Sequence, residues 1–137
     1  MKKSTAIIIA TVSFAAVVFA ALLAWWLAPV SLLDDVEARD VSRIRVFNGS
    51  TGTEFYIEDA ISIEKIVNGI KNAELYKSGI SKNKDGFTFS LSFYSGETVI
   101  DELIVNGFDT IRKDPFFYED RTGGLPFDIL KELERIK

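Results

Sequence analysis

The 137-residue sequence contains neither cysteine nor histidine. Without cysteine the chain has no disulfide, no thiol nucleophile and no cysteine-type zinc site. Without histidine it lacks the usual general base and the usual transition-metal ligand, which excludes Ser-His-Asp and HExxH chemistry. These absences favour a non-enzymatic protein, and we predict no cofactor, no metal site and no catalytic residue.

A long uncharged segment lies near the N-terminus. Residues 6–28 are mostly apolar and contain no charge, no proline and no glycine. As a helix rising about 1.5 Å per residue, the segment is roughly 35 Å long, enough to cross a hydrocarbon core of about 30 Å. We therefore predict a transmembrane signal anchor at 6–28 after a cytoplasmic N-terminus, residues 1–5.

The residues that flank this segment predict its orientation. Lys2 and Lys3 precede it, and basic residues are retained on the cytoplasmic side. Trp25 and Trp26 lie at the far end, where indole rings favour the membrane interface. We predict a single-pass protein of the cell membrane with its C-terminal domain outside.

A cleaved secretory signal is the alternative interpretation of the same segment. Small residues such as Ala21 and Ala28 could precede a cleavage site, although the apolar run exceeds the usual core of about 7–15 residues. Both interpretations place the following residues outside the cytoplasm.

The remaining part of the chain is long enough for one domain with one core. It carries all 20 acidic residues and, because only Lys2 and Lys3 precede it, 14 of the 16 basic ones, a net charge of −6. This balance argues against nucleic acid or an anionic membrane surface as a partner, since both require a positive surface. The simpler alternative is that the acidic surface serves only solubility.

Residue periodicity predicts an α+β fold. Apolar and polar residues alternate, as in strands, at 41–47, 53–58, 74–77, 87–94, 97–105 and finally 110–113, and a polar loop is expected at 78–86. An amphipathic helix capped by Asp59 or Ser62 follows the second strand, and another begins at Pro126. We predict a mostly antiparallel sheet with two amphipathic helices in a domain at 41–137, joined to the anchor by a connector, 29–40, that forms a short helix or a tether.

One part of this pattern resembles a known type of domain. Two strands and the turns beside them resemble an uncharacterised extracytoplasmic domain of membrane-anchored and lipid-anchored proteins of Gram-positive Firmicutes. The residues that carry the resemblance are Phe93, Tyr94, Ile100, Asp101, Glu102, Asp109, Thr110, Ile111 and Arg112. The resemblance implies a location in the cell envelope and an α+β fold, and it supplies no catalytic residues.

Three consecutive aromatic residues, Phe116, Phe117 and Tyr118, are the candidate binding interface. They cannot all face one core if the segment is extended, because neighbouring side chains of a strand point to opposite faces. Exposed aromatic residues are favoured interface anchors, whereas burial beneath a helix or hairpin is the alternative. We expect Tyr118 to be the member that reaches solvent.

Charged residues offer further candidates, each with a simpler alternative. Asp109 and Asp114 lie in neighbouring turns and could form a carboxylate pair for glycoside hydrolysis, or could cap those turns. Asp114 with Glu119 and Asp120 could bind a cation through oxygen ligands, or form an exposed acidic loop. Three lysines in or directly before the polar loop could contact anionic cell-wall polymer or could only be solvated; they are Lys77, Lys82 and Lys84.

These observations favour a membrane-tethered, extracytoplasmic interaction or regulatory module that binds an envelope protein or peptide without catalysis. Two alternatives remain open. A carboxylate-dependent hydrolase of envelope glycan would need two carboxylates in one cleft. A secreted inhibitor or immunity protein would result if the leader were cleaved.

Overall fold

The computed structural model describes residues 2–81 and 88–136. Within them the chain forms three α-helices, seven strands and a short 3-10 helix at Ala38–Asp40. The helices are α1 (Lys2–Leu27), α2 (Ala60–Lys71) and α3 (Phe127–Ile136). The strands are β1 (Arg43–Asn48), β2 (Thr53–Ile57), β3 (Leu75–Ile80), β4 (Phe89–Ser95), β5 (Thr98–Val105), β6 (Thr110–Lys113) and β7 (Phe116–Asp120).

Helix α1 stands apart from the core. None of its residues is buried, and its mean hydropathy reaches 2.7. It is the one helix in the described ranges that is long and apolar enough to cross a membrane. Because most of its apolar side chains are exposed and only those near its C-terminal end contact the domain, a bilayer accounts for their exposure better than water does.

The seven strands form one antiparallel sheet in the order β2-β1-β4-β5-β6-β7-β3. The predicted alternation is confirmed in β1, where Ile44 and Val46 are buried and Arg43 and Arg45 point to the other face. The register shifts where β4 pairs with β5, between Phe93 and Tyr94. The fold class predicted from the sequence, α+β with a mostly antiparallel sheet, is confirmed.

The two later helices cover one face of this sheet. Helix α2 begins after Asp59, whose carboxylate accepts the backbone N–H of Ser62 at 2.9 Å. Its buried residues are the predicted stripe Ile63, Ile66, Val67 and Ile70. Helix α3 buries Leu130, and its Phe127 ring packs edge-on against Phe89 at 5.7 Å between centroids.

The segment between α1 and β1 is part of the core. Leu32, Leu33 and Val36 are all buried there. The backbone N–H of Val30 donates to Leu75 O at 2.7 Å, which fixes the start of the segment to edge strand β3. Only two residues therefore separate the end of α1 from the first contact with the sheet.

Two strand assignments made from the sequence were wrong. Residues 78–80, predicted as loop, continue β3, and β6 is followed by another strand, β7. Both extensions depend on pairing between β3 and β7, which lie about forty residues apart and whose contact no local pattern indicates. The rest of the predicted loop from Lys82, including Lys84, lies outside the described residues, as does Phe87 at the predicted start of the next strand.

Candidate interaction surface

The aromatic triplet is divided between the two faces of the sheet. Phe116 and Tyr118 point to the face that the helices cover, and Phe117 points to the other. Tyr118 is only 7% exposed, and its burial raises the pKa of its hydroxyl. The expectation that Tyr118 reaches solvent was wrong, because β7 is an interior strand and pairs Tyr118 with buried Ile111.

Phe116 contacts the end of α1. Its ring lies 5.8 Å from the Trp25 ring and 5.6 Å from the Trp26 ring, both in edge-on geometry. Lys77, on neighbouring β3, donates from Nζ to the backbone oxygen of Trp25 at 3.1 Å. The two tryptophans predicted at the membrane interface are thus in contact with one member of the predicted binding triplet.

The face opposite the helices carries a second group of aromatic and basic side chains. The Arg43 guanidinium lies 4.4 Å from the Tyr94 ring centroid and 5.7 Å from that of Tyr56. Tyr56 is 40% exposed. These three residues come from adjacent strands β4, β1 and β2, so the sheet itself fixes their spacing. We call Arg43, Tyr56 and Tyr94 the Tyr-Arg surface.

An ion pair holds the neighbouring arginine on the same face. Arg45 donates to Glu54 through Nε at 2.8 Å and through a terminal nitrogen at 3.2 Å, a two-pronged geometry. The hydrogen bond from Arg45 lowers the pKa of the Glu54 carboxyl. Arg43 makes a longer contact with Glu97 at 3.4 Å. The two-pronged pair restricts Arg45 beside Tyr56, whereas Glu97, which is 91% exposed, holds Arg43 only weakly.

The Tyr-Arg surface was missed by sequence reasoning. The alternation of β1 did place Arg43 and Arg45 on one face, and that of β2 placed Tyr56 opposite buried Ile57. The sequence does not show that β4 lies beside β1, which brings Tyr94 to Arg43. The individual faces were therefore predictable, whereas their assembly depends on strand order.

The proposed carboxylate pair is not brought together. Asp109 precedes β6 and Asp114 follows it, so five residue steps along an extended strand separate their backbones by roughly 16 Å at about 3.3 Å per step. Asp114 accepts hydrogen bonds from Ser81 and Arg112, which lower the pKa of its carboxyl. A general acid for glycoside hydrolysis needs the opposite shift.

The candidate cation ligands also diverge. Glu119 and Asp120 are consecutive in β7 and point to opposite faces. Asp120 is buried and accepts from the backbone N–H of Thr122 at 2.9 Å and of Gly124 at 2.7 Å, which organises the turn before α3. Within residues 2–81 and 88–136, no three acidic side chains converge as a metal site would require.

Comparison with known proteins assigns no family to this chain. No protein-family model, no curated protein and no solved structure matches it. The resemblance based on residues such as Asp109 and Arg112 therefore stays a prediction.

Proposed function

We propose that this protein is a non-enzymatic module, tethered to the cell membrane by α1, that binds an envelope protein or peptide through the Tyr-Arg surface. The observation that carries the proposal is the position of Arg43 between Tyr56 and Tyr94 on the sheet face opposite the helices. Tyrosine and arginine are the residue types that most often dominate binding energy at protein interfaces.

The order of this surface supports binding without a large entropic cost. Strand pairing fixes the three backbones, the two tyrosine rings flank Arg43, and the two-pronged pair with Glu54 restricts Arg45. Side chains that are already restricted lose less conformational freedom on association. Phe117 lies on the same face of the sheet, three strands away from β4, and its ring is 5.8 Å from the Arg112 guanidinium.

The proposed location follows from the basic residues that precede α1. Lys2 and Lys3 before the helix favour a cytoplasmic N-terminus and hence an extracytoplasmic domain. Protease added to intact protoplasts should digest the domain and spare the anchor, and intact-mass measurement should find α1 retained. Protection of the domain would reject this orientation, and a mature chain beginning near residue 29 would favour the secreted alternative.

Site-specific photocrosslinking in the native membrane tests the binding proposal. A photoreactive amino acid at Tyr56 should capture one specific envelope protein, and Arg43→Ala in the same chain should remove most of that product. The matched control is the same probe at Ile61, which is 68% exposed on α2, away from the Tyr-Arg surface. Equal capture from Tyr56 and Ile61, or a product that survives Arg43→Ala, would contradict the proposal.

A further inference from the structure

The end of α1 is held to the domain by four side chains. Trp25 and Trp26 pack on Phe116, and Lys77 bonds to the backbone oxygen of Trp25 with its ammonium 4.3 Å from the Trp25 ring. We call these four residues the helix clamp. Lys77 places a positive charge at the C-terminal end of a long helix, where the helix dipole favours a cation and the last carbonyls lack intrahelical partners.

The segment that connects α1 to the sheet is very short. Leu27 is the last helical residue, and Val30 already donates its N–H to Leu75 O at 2.7 Å. Leu32 and Leu33 are then buried in the core. The domain can therefore turn about the end of α1 only through residues 28 and 29, and such a turn would break the contacts of the helix clamp.

These contacts set the depth of one edge of the domain. Tryptophan rings at the end of a transmembrane helix lie at headgroup level, and Phe116 touches both of them. Ile80 is paired with Phe116 on the adjacent strand, one strand spacing of about 5 Å away. Each headgroup layer is roughly 5–8 Å thick, half the difference between a bilayer of about 40–45 Å and its hydrocarbon core of about 30 Å.

We propose that the β3–β7 edge of the domain lies in the headgroup layer of the membrane that α1 spans, with Ile80 in contact with lipid and the helix clamp holding it there. Ile80 is 61% exposed although it is a large apolar residue of a folded edge strand. A lipid surface accounts for this exposure and also covers part of an otherwise open strand edge. This inference depends on α1 spanning a membrane and is independent of which partner the Tyr-Arg surface binds.

The opposite end of the sheet supplies a matched control. Phe108 is 69% exposed and precedes β6, at the end where Asp109 O accepts the N–H of Asp120. Ile80 lies at the other end, where β3 and β7 pair it with Phe116. Both positions are exposed and apolar, but only Ile80 should meet lipid.

The absence of native cysteine makes the experiment direct. Full-length Ile80→Cys and Phe108→Cys proteins are labelled with a nitroxide and placed in nanodiscs of phosphatidylcholine and phosphatidylglycerol containing a lipid with a nickel-chelating headgroup. Power saturation should show frequent collisions with the lipid-attached nickel for the label at 80 and few for the label at 108. Equal, water-like behaviour of the two labels would overturn the proposal.

Variants of the clamp test what holds the edge in place. Combining Ile80→Cys with Lys77→Met and Phe116→Ala should reduce the nickel collisions towards the level at 108. Trp25→Leu with Trp26→Leu serves as a second variant, because α1 lies outside the core and this change leaves the domain fold intact. Undiminished collisions in the tryptophan variant would reject the clamp.

Discussion

At the scale of single residues, neighbouring members of the aromatic triplet differ in burial although they belong to one strand. Tyr118 is buried, so Tyr118→Ala should lower the free energy of unfolding by about 3–5 kcal/mol, the range for large aromatic side chains in a core. Phe117 is half-exposed on the opposite face, so Phe117→Ala should lower the free energy of unfolding by only about 1 kcal/mol. Urea unfolding of the full chain in detergent micelles, followed by near-ultraviolet circular dichroism, measures both; equal losses would contradict the assignment of faces.

Asp120 should couple stability to pH. Burial raises the pKa of its carboxyl, but hydrogen bonds from Thr122, Gly124 and Leu125 outweigh that effect and lower it below its ordinary value. A carboxyl with a lowered pKa stabilises the fold above its unfolded pKa of about 3.9, and this contribution is lost as pH falls through the folded value.

The Asp120→Asn variant makes this prediction measurable. At pH 7 it should lose about 1.5–3 kcal/mol of unfolding free energy, because an amide cannot accept on both sides from the N–H groups of Thr122 and Gly124. The difference from the unmodified protein should shrink below about pH 4. Exposed Asp35→Asn serves as the control and should leave the unfolding free energy at pH 7 nearly unchanged. If the loss caused by Asp120→Asn stayed constant at all pH values, the Asp120 charge would not be responsible.

At the scale of elements, the contact between α2 and the chain before α3 depends on two glycines. A Cβ added at Gly69 would lie 2.8 Å from Gly124 O, closer than carbon and oxygen can approach without movement of the backbone. Gly69→Ala should therefore destabilise the protein by about 1–3 kcal/mol through overpacking, although alanine is the better helix former. Asn68→Ala, at the exposed neighbouring position, should be neutral or stabilising; stabilisation by both changes would mean that this helix contact is not tight.

The elements also show which features a single sequence can predict. The stripe of α2 and the alternation of β4, with Phe89, Leu91 and Phe93 buried, are local patterns and were recognised. Strand β7 was missed because three consecutive aromatics have no alternation and its pairing with β3 is long-range. The Tyr-Arg surface was missed for the same reason, since it exists only once β4 lies beside β1.

At the scale of the whole molecule, the core of the domain begins directly after the anchor, within the segment that precedes β1. Leu32, Leu33 and Val36 are buried, and Lys71 donates to Val36 O at 2.8 Å, so the segment predicted as a connector supplies core side chains. Each buried aliphatic side chain contributes about 1.5–3 kcal/mol. Together the three approach the entire stability of a typical domain, about 5–15 kcal/mol.

Two fragments that differ only in this segment test the boundary. Residues 29–137 retain all three side chains and should unfold cooperatively with urea. Residues 41–137, the domain as divided from the sequence, should lose most of that transition and expose apolar surface that binds a hydrophobic dye. Leu33→Ala in the longer fragment should give an intermediate result, a loss of about 2–5 kcal/mol of unfolding free energy, since Leu33 is 3% exposed.

Equal cooperative unfolding of the two fragments would mean that the segment lies on the domain without stabilising it. The link between α1 and the sheet would then depend on the helix clamp alone.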